Sequence, residues 1–346
     1  MSNDNWKKLG VFAFLDTGPP FANRKDYSTL VMLHGLSATA GFFKHFFPLA
    51  KNVGARIILI NRREYPGSDP FSDQDHALIA SATHDTPEAS ENANLFMKAR
   101  TKELYDFLCE LVRSEDLLTN SIILAGWSLG AAFMTAFLTY APTFEADEIE
   151  LSRYIRRVIV YDPPSIALGY PAPDGYYYPF NDPSISLDEG MKTFPLWATG
   201  YYAHGETLET LSRTALDDPR PTILVMSVED IGMAICVPPS LSDGVDMLLL
   251  QNGSKNGLFA RLRMTALFVP DGTGEGWSNV EFRYFWCDRS VWPIISGIQS
   301  FIAETETARQ LGKLVRKHSI VRMNGANHCA HWDEPERTLK LLVSDD

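Results

Sequence analysis

The stretch "LAGWSLGAAF" (residues 124–133) sets Ser128 between Gly126 and Gly130, where an apolar run gives way to a run of small residues. A serine that only had to be solvated would not require glycine two places away on both sides. G-x-S-x-G between a strand and a helix marks a sharp turn, in which the serine takes an unfavourable backbone conformation and small neighbours let strand and helix approach. Such a turn lifts the hydroxyl clear of the sheet. It also leaves the Leu129 amide, at the amino end of the helix, free to donate to an anion. An incidental serine in a turn would satisfy so short a pattern, so the rest of the chain decides its meaning.

Four apolar runs, "TLVML" (29–33), "RIILI" (56–60), "SIILA" (121–125) and "RVIVY" (157–161), are continuous rather than alternating and rich in β-branched residues, as strands covered on both faces are. Between them "MKARTKELYDFLCELVRSE" (97–115) repeats Leu104, Phe107, Leu108 and Leu111 at helical spacing. Strands alternating with helices predict an α/β fold with a mostly parallel sheet and right-handed crossovers. After Asp162 the texture changes to Pro, Gly and Tyr ("DPPSIALGYPAPDGYYYPFNDP"), and regular alternation returns only with the strand "VEFRYFWCD" (280–288), a helix from 291 and a final strand "HSIVRMNG" (318–325). The predicted organisation is a core of residues 1–162 and 279–346 with a lobe, 163–278, inserted after the strand ending near Asp162.

The chain has 346 residues, 45% hydrophobic and 21% charged, enough to bury a sizeable core. Its net charge of −12 disfavours nucleic acid and anionic membrane surfaces, which are bound through clustered Lys and Arg. The four cysteines lack metal-site or disulfide-framework spacing, and neither a metal nor a dinucleotide cofactor is expected. The apolar stretch near the amino terminus is too short for a signal peptide and no run approaches the roughly 20 residues of a membrane span, which predicts a cytoplasmic protein. A homodimer is compatible with this, without residue-level support.

A serine of ordinary acidity needs an imidazole to take its proton and a carboxylate to hold that imidazole. The loop "NGANHCAHWDEPE" (324–336) offers His328 as the base, with His331 better suited to packing against the terminal helix. In the chain order serine, acid, histidine the acid should end a strand. Asp288, ending "FRYFWCD", is the favoured acid. Asp162 also ends a strand, though its two following prolines suggest a turn starter, and Asp230 in "SVED" reads as the start of a helix capped by Ser227. "VMLHGLSA" puts His34 and Gly35 at the end of the first strong strand, where the Leu36 amide joins that of Leu129 as an oxyanion hole, each donor contributing about 3 kcal/mol to transition-state stabilisation. His34 itself reads as a loop-holding residue.

On these pieces the sequence resembles the α/β-hydrolase superfamily from residue 28 to 343: "HG" (34–35), "NRREYPGSD" (61–69), "GWSLG" (126–130), "CDRSVW" (287–292) and "NHCAHWDEPE" (327–336), in order. The resemblance is to the serine esterase and lipase-like branch with an inserted cap, and "NRREYPGS" is similar to fungal members. It implies Ser128 as nucleophile, His328 as base, Asp288 as acid, the Leu36 and Leu129 amides as oxyanion hole, and His34, Tyr65 and Trp127 near the pocket. Glu64 and Tyr65 depart from the family's Gly-aromatic pair, which would reshape the pocket, and Asn327 replaces a common glycine.

Serine at the elbow argues against the alkyl-ester chemistry of epoxide hydrolases and haloalkane dehalogenases, which need a carboxylate there. The expected reaction is hydrolysis of a carboxylic ester, thioester or lactone through an acyl-enzyme. The aromatic-rich lobe ("GYYYPF", "PLWATGYY", "GEGWSNVEF") favours an apolar or aromatic small-molecule substrate. Carbon–carbon bond hydrolysis or lyase chemistry on the same triad, and ligand binding without catalysis, are the competing classes.

Overall fold

The computed structural model describes residues 6–22, 26–83, 86–115, 117–146 and 148–345; the first five residues of the stretch read for a leader lie outside it. Among the described residues eight strands form one sheet: β1 (Trp6–Leu9), β2 (Phe12–Asp16), β3 (Ser28–Leu33), β4 (Ala55–Asn61), β5 (Ile122–Trp127), β6 (Ile155–Tyr161), β7 (Glu281–Cys287) and β8 (His318–Met323). Their order is β1-β2-β4-β3-β5-β6-β7-β8. From β4 to β8 all pairings are parallel, and β1 and β2 add an antiparallel edge. All four apolar runs of the first half are strands, and β4 and β5 are buried along their whole lengths, as a sheet covered on both faces requires.

One face is covered by the helices Pro87–Glu115, Gly130–Tyr140 and Trp292–Gln310, packed on β-sheet residues such as Val31, Leu124, Val160 and Tyr284. The other carries Phe42, Phe43, Phe46, Trp332 and Leu339 against Leu30, Ile123 and Ile159. The long helix begins at Pro87, ten residues before the stretch whose spacing predicts it, because its first turns bury only small or widely spaced residues such as Ala89 and Ala93.

Between β6 and β7 the chain forms short helices and irregular loops, including Leu187–Ala198, Val228–Ala234, Val245–Lys255 and Leu258–Leu267. Leu258–Leu267 lies against Gly130–Tyr140, where Thr139 Oγ1 donates to Leu262 O (3.0 Å). Much of the segment, including Thr199, Thr222, Cys236 and Asp246, lies against the loops that follow β3, β4 and β8, at the edge where ligands bind in open parallel sheets, whereas Glu275–Ser278 packs against Leu151–Arg153 ahead of β6. Among the described residues no helix is long and apolar enough to cross a membrane.

Candidate active site

Ser128 follows β5 with φ +55°, the left-handed region that a residue with a Cβ enters only under constraint. The constraint is visible on both sides. A Cβ on Gly126 would lie 2.2 Å from the Gly130 carbonyl oxygen, and one on Gly130 would lie 2.9 Å from the carbonyl oxygens of Leu33 and His34. Gly35 lies beside the serine itself, where a Cβ would sit 2.6 Å from that of Ser128. The Ser128 amide donates to Tyr161 O (2.9 Å), which anchors the turn to β6. The two glycines of the elbow and the glycine of the "HG" loop are therefore steric requirements of one crowded turn.

His328 lies in the loop after β8, 5% exposed, with its carbonyl oxygen accepting from Trp127 Nε1 (2.9 Å) and its ring 4.7 Å from the Trp127 ring. Its Nδ1 is 2.6 Å from Asp162 Oδ2. That contact puts Asp162, and not the expected Asp288, against the imidazole. Asp162, fully buried at the end of β6, also accepts from Cys287 N (2.7 Å) and Ser290 Oγ (2.6 Å), so its carboxylate is fixed toward the imidazole. Like Ser128 it has positive φ, +48°, and its amide donates to Phe285 O (2.6 Å).

Asp288 faces elsewhere. Its Oδ1 accepts from Gly325 N (2.6 Å) and its Oδ2 from Arg322 (2.8 Å), so it braces the loop that leads to His328 without touching the imidazole. The two candidates end neighbouring strands in the same chain order, and only the side-chain geometry separates them. Asp230 pairs with Lys44, and its amide donates to Ser227 Oγ (3.1 Å), the helix start read from the sequence.

Two cavities meet at His328. One of about 40 Å³ is lined by Ser128, Leu129, Leu36 and His328. The other, about 250 Å³, is lined by Trp127, Leu36, Phe42, Phe194 and His328. Among the described residues the Leu36 and Leu129 amides donate to no protein acceptor, and no hydrogen bond joins Ser128 Oγ to His328. Such contacts are commonly long before substrate binds.

Of the three residues expected near the pocket, Trp127 lines it, whereas His34 and Tyr65 do not and pack on each other behind the Leu36 loop, ring centres 4.2 Å apart. The backbone N–H of Arg62 donates to His34 Nε2 (3.0 Å), which leaves the ring proton on Nδ1 to donate to Gly35 O (3.0 Å). Burial and the adjacent Arg62 charge hold this imidazole well below its ordinary pKa, in the neutral form that the pairing requires. The "NRREYPGSD" departures have structural explanations too. Glu64 takes a left-handed φ of +70° and accepts from Phe71 N (2.7 Å), while the Tyr65 hydroxyl donates to Asp246 (2.5 Å), and neither lines the two cavities.

A group that the sequence reading missed lies behind the loop that carries Leu36. Buried Arg62 is paired through both terminal nitrogens with Asp246 (2.6 and 2.5 Å), and also donates to the carbonyl oxygens of His34 (3.2 Å) and Gly35 (3.0 Å). Nearby, Cys236 N donates to Ser37 O (2.7 Å) and Thr39 N to Ala234 O (2.8 Å). Asn327, the other departure, donates to Thr199 O and Thr222 Oγ1 (both 2.8 Å). The only sequence hint of the pair was an arginine in the loop after β4 and an acid near a helix start, 184 positions apart.

His331 is wholly buried among Phe42, Phe43, Trp127 and Tyr161, and burial pushes its pKa well below the ordinary value, consistent with a packing role. The four cysteines are free thiols.

A strained serine between crossing glycines, on a mostly parallel sheet with a buried Asp–His pair at the same edge, defines the α/β-hydrolase class. A model of the alpha/beta hydrolase family matches residues 30–341, and the chain belongs to that family. Solved structures agree on the fold. A laboratory-evolved variant of a potato epoxide hydrolase is similar at TM-score 0.54 and 12% identity, covering 97% of each chain. Cfl2 from Burkholderia cenocepacia is similar at TM-score 0.51 and 13% identity, covering 98% of this chain and 95% of that one. No curated protein matches the sequence.

Proposed function

We propose that this protein is a serine hydrolase that cleaves a carboxylic ester, thioester or lactone of an apolar small molecule. Ser128 Oγ attacks the carbonyl carbon while His328 takes its proton. The resulting oxyanion accepts from the Leu36 and Leu129 amides, and Asp162, receiving the Nδ1–H, stabilises the imidazolium. Collapse of the intermediate returns the proton to the departing alcohol or thiol, and water then releases the acid by the same steps. Residues 163–278 act as a cap that shapes the substrate site.

The observation that carries this reading is the meeting of Ser128, strained at +55°, with an Asp162-held His328 in one apolar cavity. An elbow serine forms an acyl ester that water can hydrolyse, whereas the alkyl-ester route to an epoxide needs a carboxylate at that position. The likeness to a potato epoxide hydrolase therefore bears on the fold and not on the reaction.

The test is labelling with a fluorophosphonate, located by peptide mapping. Wild type should be labelled at Ser128 alone and Ser128→Ala not at all. Folded wild type that resists the probe and hydrolyses no p-nitrophenyl ester would refute the assignment.

A further inference from the structure

The two cavities share His328, Leu36, Phe194 and Ala198 but differ in size and in their contact with the nucleophile. Ser128 and Leu129 line only the cavity of about 40 Å³, while the cavity of about 250 Å³ touches His328 and Trp127 without touching Ser128. Acyl-enzyme chemistry dictates what each can hold. The acyl substituent stays attached through its carbonyl carbon to Ser128 Oγ, so it must extend into space that Ser128 lines. The leaving oxygen takes its proton from His328, which lines both cavities, and with the small one taken by the acyl substituent the alcohol part extends into the large one.

Volume then sets the chain lengths. A water molecule needs roughly 10–15 Å³ of such space, so the small cavity holds about three or four heavy atoms. It is also lined by Phe180, Leu250 and Ile294, and Tyr178 stacks on Phe180 with ring centres 5.3 Å apart. The larger cavity is about six times as large and almost wholly apolar. Its hydroxyls are already engaged: Ser240 Oγ donates to Val237 O (2.7 Å) and accepts from Ser37, and Thr199 Oγ1 donates to Pro195 O (2.9 Å) and accepts from Ile223 N. Its one charged residue, Lys192, is exposed to solvent. A leaving group with hydroxyl or charged substituents would lose its hydration there without finding partners.

Resting on the serine-hydrolase reading above, we propose that the substrate is a short-chain ester, of acetyl to about butanoyl size, of a bulky, neutral, apolar alcohol such as a bicyclic terpenoid or fused-ring alcohol. The partition makes acyl length and alcohol bulk independent determinants of specificity.

The experiment measures kcat/KM for p-nitrophenyl acetate, butanoate, hexanoate and octanoate, and separately for ethyl and bornyl acetate, with fluorophosphonate labelling of Ser128 alongside. Wild type should lose at least about 30-fold from acetate to octanoate and favour bornyl over ethyl acetate by at least about tenfold, since one methylene at a fitted wall is worth roughly tenfold or more. Trp197→Ala, at a half-buried wall of the small cavity only, should raise the octanoate-to-acetate ratio at least tenfold. Ile223→Phe, at a half-buried wall of the large cavity only, should lower the bornyl-to-ethyl acetate ratio at least fivefold. The wild-type ratios stand as the test even if a variant fails to fold. Octanoate accepted as well as acetate, or bornyl acetate not turned over, with Ser128 labelled, overturns the partition and leaves the hydrolase reading intact. No turnover of any ester with Ser128 unlabelled overturns both.

Discussion

Ser128 and Asp162 both have positive φ, at +55° and +48°, and both end parallel strands, β5 and β6, that lie side by side. Each side chain is thereby turned off its strand toward His328 at the strained end of the sheet. The Asp162 assignment makes a sharp demand on variants. Asp162→Asn should lower kcat by about 10³- to 10⁴-fold, because the amide favours the wrong imidazole tautomer and removes the charge that stabilises the imidazolium. Asp288→Asn, which disturbs only the brace to Gly325 and Arg322, should cost less than about tenfold. Steady-state kinetics on p-nitrophenyl acetate, with thermal unfolding to establish that both variants are folded, makes the comparison; equal losses would return Asp288 to the triad.

The loop 34–39 after β3 and the loop 324–334 after β8 carry the Leu36 amide and His328, and both are fastened to the segment between β6 and β7. The first is held by Arg62–Asp246 and the Ala38–Ile235 bridge, the second by Asn327 to Thr199 and Thr222 and by Asp333 accepting from Tyr201 (2.7 Å). Arg62 and Asp246 are both almost wholly buried, so removing one partner strands a charge in the interior. Asp246→Leu should destabilise the fold by about 3–5 kcal/mol in urea titration, and the double variant Arg62→Met/Asp246→Leu should recover most of that loss. Additive losses in the double variant would show that the pair is not coupled. Since Arg62 also holds the carbonyls of His34 and Gly35, the single variant should lower kcat as well by moving the Leu36 amide.

Across the whole sheet, the antiparallel edge β1–β2 is tied to the parallel body where Arg56 of β4 binds Asp16 of β2 through two nitrogens (2.9 and 2.7 Å). Burial alone would raise the Asp16 pKa, but the bonds from Arg56 and Lys7 outweigh it and bring it down from 3.8 to about 2. A carboxyl with a depressed folded-state pKa adds stability that is fully present above its unfolded value and is lost as pH falls through the folded value. The contribution is about 2 kcal/mol at neutral pH. The stability gap between wild type and Asp16→Asn should therefore be constant above about pH 5 and shrink progressively toward pH 2. Urea titrations at pH 7, 4 and 2.5 read this directly, and a gap that does not narrow would remove Asp16 as the titrating group.

Much of this molecule was legible because it is governed by local physics. Continuous β-branched runs are what buried strands show, and Gly126 and Gly130 are demanded by sterics around the turn that carries Ser128. The serine's need of an imidazole then pointed to His328 in the loop after the last strand. Of the edge strands, β1 escaped notice because it is exposed, four residues long and reads "WKKL", with no apolar pattern to mark it, while β2, "FAFLD", is apolar and buried but was weighed only as a leader. What the tertiary structure alone decided are contacts between distant segments: Asp162 rather than Asp288 at His328, across 166 positions, the Arg62–Asp246 pair across 184, and the two unequal cavities that His328 lines. Periodicity and turn sterics determine where a strand ends, but two aspartates that end neighbouring strands are locally equivalent, and the carboxylate that reaches the imidazole depends on side-chain directions that only the packed molecule sets.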